Sequence, residues 1–148
     1  MIEFKRESEM ELPVRNWLEE KGCIVHRQST FINGSVPDLL GYALCSDSFY
    51  VVELKMSRYT NALMQAKSYR YYCHYSFIAF PSKRADNIFR KHQAELSKVG
   101  IGLLAVDPGS VSCVLTAGYN NNAKCEKLYR RFKREIRAMK EIPRLKRN

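Results

Sequence analysis

The chain has 148 residues, 45% of them hydrophobic and 27% charged, with a formal net charge of +10 at pH 7. That length suffices for one domain with its own core, so neither disulfides nor a structural metal is needed for stability. No apolar run approaches the roughly 20 residues that span a bilayer, and the acid-rich opening MIEFKRESEMEL lacks the apolar stretch of a signal peptide. A soluble, cytoplasmic protein is expected. The five cysteines (Cys23, Cys45, Cys73, Cys113, Cys125) are odd in number and scattered, without zinc-site spacing, and are read as small buried residues in a reducing compartment.

In chain order, residues 8 to about 21 predict a helix, with Met10, Val14, Trp17 and Leu18 on one face, Ser8 as a cap and Gly22 as the stop. Pro13 either belongs to a first turn that starts near Leu12 or kinks the helix. CIVHRQSTF, 23 to 31, predicts a strand, and Asn33-Gly34 a turn. VPDLLGYAL and FYVVELKM follow as two more strands separated by the polar CSDS. Residues 60 to about 73 predict a helix capped by Thr60 or Asn61; SFIAF is a short strand, and a helix runs from about Arg84 to Val99, ending at Gly100. GLLAVD and VSCVLTA are strands joined by the turn Asp107-Pro108-Gly109-Ser110. GYNNNAK is a loop or hinge. Lys124 to about Lys140 predicts a last helix, with Pro143 beyond it.

The expected fold is therefore α/β: a mixed central sheet flanked by helices, in the order α β β β α β α β β, plus a C-terminal basic helix. Residues 1–118 would form the main domain and 119–148 a hinge and basic amphipathic tail. From residue 124 onward there are 11 Lys or Arg against 3 Glu, whereas the first 123 residues are nearly balanced. Such a tail points to a polyanionic partner, nucleic acid ahead of a membrane. Leu128, Phe132 and Ile136 would dock on the body or a second subunit, leaving Lys127, Arg130, Arg131, Lys133, Arg134 and Arg137 for phosphates. His74 and His92 are read as surface or cap residues. Tyr69, Tyr71, Tyr72 and Tyr75 are read as packing residues before base-stacking ones.

VPDLLGYALCSDSFYVVELK, 36 to 55, carries the chemistry. Asp38, Glu53 and Lys55 sit among apolar residues, where unpaired charges cost several kcal/mol. With the turn centred between Ser46 and Asp47, Asp38 faces Lys55 and Glu53 lies one diagonal step away on the same face. A slip of one residue would separate them. An exposed cross-strand ion pair worth under about 1 kcal/mol is the competing explanation. Two converging carboxylates suit a hard divalent cation, most plausibly Mg²⁺. The cation would activate water beside Lys55.

Pro37-Asp38 followed by Glu53-Leu54-Lys55 on the next strand resembles the PD-(D/E)xK nuclease superfamily, whose members share the restriction-endonuclease-like fold. The resemblance spans about residues 8 to 118. It implies a Mg²⁺-dependent deoxyribonuclease, with Mn²⁺ able to substitute, in which Asp38, Glu53 and the Leu54 carbonyl hold metal and Lys55 positions the attacking water. Glu11 matches the family's helix glutamate best, with Glu7 on the same stripe, and would orient water or assist a second metal. Gln65 and Tyr69 resemble the Gln-x-x-x-Tyr element of several branches and would be accessory. DNA is the implied partner, and a two-fold homodimer is expected if both strands or a junction are cut. The alternative is a non-catalytic nucleic-acid-binding module on the same fold.

Overall fold

The computed structural model describes residues 3–28 and 35–141. A 3-10 turn, Glu7–Met10, leads into α1 (Glu11–Glu20), followed by strands β1 (Cys23–Arg27), β2 (Leu39–Ala43) and β3 (Ser48–Leu54). Then come α2 (Tyr59–Arg70), β4 (Tyr75–Pro81), α3 (Ser82–Val99), β5 (Ile101–Asp107), β6 (Ser110–Leu115) and α4 (Glu126–Lys140). The observed order differs from the expected one by the 3-10 turn at its start. The end of the 23–31 segment, the Asn33-Gly34 turn and Pro143 lie outside the described residues.

Pro13 sits in the first turn of α1, where its missing N–H costs nothing, and the chain ahead of it closes as the 3-10 turn instead of a longer helix. Ser8 does not cap; the Glu9 carboxylate accepts the backbone N–H groups of Lys5 and Arg6. Neither Thr60 nor Asn61 caps α2, which is entered through Arg58 in the left-handed region at φ 62°.

The six strands lie in chain order across one sheet. β1, β2 and β3 are antiparallel, β3, β4 and β5 are parallel, and β6 returns antiparallel at the far edge. Parallel neighbours need a crossover, and α2 and α3 supply the two. One sheet face is covered by α1, whose Met10, Val14 and Leu18 pack with Leu39, Val52, Leu54, Phe77 and Ala79. The other face carries α2 and α3 over β4 and β5. α4 shares that second face, roofing Leu40, Tyr42, Phe49 and Val51 with Leu128, Phe132 and Ile136. The tail helix thus buries its apolar stripe against the body.

The β2–β3 turn corrects the expected register. Asp47 takes φ 50°, its N–H donates to the Leu44 carbonyl, and its carboxylate accepts the hydroxyls of Tyr42 and Tyr129, each at 2.6 Å. The reversal is therefore centred between Cys45 and Ser46, and Leu39 pairs with Val52. Continuing that register sets Asp38 opposite Glu53, with Lys55 on the diagonal. Because each strand alternates faces with period two, this even displacement keeps all three residues on one face.

His74 corrects another expectation. It is buried, its Nδ1 accepting the Phe49 N–H at 2.9 Å while its own N–H donates to the Phe49 carbonyl. Burial lowers its pKa.

α4 is fastened at further points: His26 stacks on Phe132 at 3.9 Å and lies 3.3 Å from Glu135. Phe132 is fully buried, so Phe132→Ala is expected to cost about 3–5 kcal/mol. Urea denaturation will measure this; a loss below about 1 kcal/mol would mean that α4 does not roof the sheet in solution.

Candidate active site

β3 has a hydrogen-bonded neighbour on each side and packed residues on both faces, so its C-terminal end is largely dry. Glu53 lies there with its side chain 6% exposed. Lys55, 18% exposed, holds its Nζ 4.0 Å from Glu53 Oε2, and its N–H donates to the Ala79 carbonyl, which fixes the backbone beneath it.

Asp38 precedes β2. Its Oδ2 accepts the Leu54 N–H at 2.8 Å, and Oδ1 receives a long 3.5 Å contact from Gln28 Nε2. The Gln28 N–H in turn donates to the Asp38 carbonyl, extending the β1–β2 pairing to the site. Asp38 is thus held by both neighbouring strands.

The two carboxylates are uncomfortable. Burial first, and then the Asp38 charge, push the Glu53 pKa up to about 8, against the opposing pull of Lys55. Burial also raises Asp38, with the Leu54 amide pulling it down. Burial first, and then the charges of Glu53 and Asp38, raise the Tyr69 pKa. Glu53 Oε1 and Gln65 Oε1 are buried with no hydrogen-bond partner. Two adjacent carboxylates, one with an oxygen that no donor reaches, are the donor set a hard cation satisfies. Among the described residues no group of three His, Cys, Asp or Glu converges tightly enough to hold a metal unaided.

A cleft of about 430 Å³ opens beside this pair, lined by Glu7, Glu11, Gln28, Asp38, Leu54 and Met56 among others. Glu11 forms an ion pair with Arg27. Glu7 Oε2 accepts the Met56 N–H at 3.4 Å and adds its charge to the field on Asp38. Arg27 and Gln28 are additions to the residues expected from sequence, and Glu7, expected only as a stripe partner of Glu11, lines the cleft with it. Glu7 was visible as a member of Glu11's stripe, but Arg27 and Gln28 become visible only once the β1–β2 register is known.

Of the remaining expected residues, Tyr69 is buried in the cluster under α4, so its ring is core, and the site's carboxylate charges help raise its pKa. Gln65 sits one turn earlier on α2 and does not line the cleft. Lys127, Arg130, Arg131, Lys133, Arg134 and Arg137 are all exposed on the outer side of α4. They do not reach the cleft lining; they share a sheet face with the carboxylates.

No family model and no curated protein matches the chain. It is similar to a solved structure of a protein of unknown function from Silicibacter pomeroyi, at 19% identity and a TM-score of 0.64, covering 95% of this chain and 94% of that one. That likeness concerns the fold. No helix among the described residues is long and apolar enough to cross a membrane.

The Glu53 shift has a defined pH signature. An unfolded glutamate ionises near 4.5, the folded one near 8, so between those values the folded state binds more protons and stability falls as pH rises. In chelator, the melting temperature is expected to fall between about pH 5 and 8.5, and Glu53→Gln to flatten that limb. An equally steep decline in Glu53→Gln would assign the limb to other groups.

Proposed function

We propose that the chain is a Mg²⁺-dependent deoxyribonuclease of the PD-(D/E)xK type on a restriction-endonuclease-like fold. The observation that carries this reading is the pairing of Glu53 with Asp38 at the dry end of β3: a buried oxygen without a donor, a pKa pushed up to about 8, and an ammonium 4.0 Å away. Such a cluster costs stability and is unexplained by packing, so its use lies in binding what it lacks.

In this reading Asp38 and Glu53, with the Leu54 carbonyl, hold Mg²⁺. The bound cation supplies a water of lowered pKa and neutralises charge on a phosphoryl oxygen. Lys55, just past the end of β3, sits beside Glu53 and positions the nucleophilic water. Glu11, steadied by Arg27, orients it from the α1 side of the cleft, and Glu7 shares that wall. Gln65 and Tyr69 are accessory, Tyr69 through its coupling to the charges of Glu53 and Asp38. DNA as substrate is supported by the net charge of +10 and by the exposed cations of α4 on the same sheet face.

Cleavage of supercoiled plasmid, single-stranded DNA and a four-way junction, with Mg²⁺, Mn²⁺ or chelator, tests the reading. Chelator-sensitive cutting reduced about 10²- to 10³-fold in Lys55→Ala is expected. Mg²⁺ should also raise the melting temperature of the wild type, equivalent to about 2.7 kcal/mol at a hundredfold excess over Kd, and Asp38→Ala or Glu53→Ala should abolish that gain. Binding without cutting under either metal would favour the non-catalytic module.

The contribution of α4 is read separately. Each of its phosphate contacts removed by an Arg or Lys→Gln change is expected to lower the logarithmic salt slope of duplex binding by about 0.9. An unaltered slope after all six changes would reduce that face to a solvated one.

A further inference from the structure

Away from the carboxylates, a cleft of about 440 Å³ lies where the C-terminal end of α2 meets residues 120–124. Its lining includes Lys67, Arg70, Tyr71, Asn120, Asn122 and Lys124, and no acidic residue. Lys67, Arg70 and Tyr71 stand at i, i+3 and i+4 on α2, which brings them onto one stripe.

The walls are fixed. Asn120 Nδ2 donates to the Arg70 carbonyl at 2.7 Å, the Asn120 N–H to the His74 carbonyl, and the Lys124 N–H to the Tyr71 carbonyl. The Arg70 guanidinium lies against Gly100, the left-handed residue that ends α3. A Cβ there would come within 2.8 Å of Arg70 Nε and Nη2. Glycine at that position thus admits the guanidinium as well as the backbone turn.

So held, Arg70 has no carboxylate. Its Nε is buried without a hydrogen-bond partner, and among the described residues no ion pair includes Arg70, Lys67 or Lys124. The negative ends of the α2 and α3 dipoles favour a cation at this place. They supply no acceptor for the buried N–H. The cleft itself is lined by three cations and two amides with no acidic side chain, a set that suits an anion at its mouth. Tyr71, 58% exposed on the rim, presents an aromatic ring beside it.

We propose that this cleft binds single-stranded nucleic acid, with Arg70, Lys67 and Lys124 on a backbone phosphate and Tyr71 stacked on an adjacent base. Basic groups that hold the backbone next to an aromatic face constitute the usual means of gripping a flexible strand without reading its sequence. The proposal does not depend on cleavage, since it concerns a site whose residues are separate from Asp38, Glu53 and Lys55.

The test is fluorescence anisotropy of the full chain with a labelled oligo-dT and with a duplex of equal length, in chelator. Arg70→Gln is expected to weaken oligo-dT binding about tenfold and to lower the logarithmic salt slope by about 0.7, the value for one phosphate on a single strand. Tyr71→Ala should weaken oligo-dT binding about five- to tenfold with the slope unchanged. Lys124→Gln, at an exposed position, should reduce the slope even if Arg70→Gln fails to fold. Wild-type affinity and slope in Tyr71→Ala and Lys124→Gln would overturn the proposal, as would stabilisation by inorganic phosphate without any effect of these changes on oligo-dT. Absence of cutting in the plasmid assay would leave these results untouched, so failure of the cleft and failure of the nuclease reading are distinguishable.

Discussion

The organisation of the molecule depends on the desolvation of β3. This strand has hydrogen-bonded neighbours on both sides, α1 on one face, and α2 with α4 on the other. A charge placed along it has little access to water, even toward the C-terminal end of the strand. Glu53 is at that end, and everything polar nearby is arranged in response: Asp38 tied to the Leu54 amide, Lys55 set against Glu53, Glu7 reaching Met56. The apolar environment that stabilises the fold also raises Glu53 to about 8. Stability and ionisation are opposed at one position.

Much of this was legible in the sequence because local rules and packing agreed. Alternation and turn chemistry mark the strands, and the 3.6-residue stripe of Leu128, Phe132 and Ile136 marks the inner face of α4. That Asp38, Glu53 and Lys55 share a face was also legible, since only the parity of the register matters for it. The pairing itself was not. The turn is placed by Asp47, whose carboxylate is held by Tyr42 and by Tyr129, the latter 82 residues away. No inspection of CSDS reveals a partner on another helix. The same holds for His74, whose burial follows from the β3–β4 junction, and for Arg58, whose left-handed backbone replaces the side-chain cap that Thr60 or Asn61 seemed to offer. That Arg27 pairs with Glu11 and the Met56 amide with Glu7 likewise follows only from the folded chain.

Charge is divided in a way that total composition conceals. The acidic cleft beside Asp38 sits near the start of α1, the cations of α4 face outward, and a third group, around Arg70, closes the C-terminal end of α2. Tyr69 and Arg70 are adjacent in sequence yet serve different regions, one turned into the core beneath α4 and the other toward the cleft. A helix places successive side chains about 100° apart, so a single turn of α2 contributes to both.

The docking of α4 has a consequence for biosynthesis. Leu40, Tyr42, Phe49 and Val51 emerge from the ribosome well before the helix that covers them. The 82 residues separating Asp47 from Tyr129 take about 4 to 16 s to translate at roughly 5 to 20 residues per second. For that interval the nascent chain displays an aromatic, strand-forming surface with no roof. It is during this period that the polypeptide is most exposed to off-pathway association and to chaperone capture.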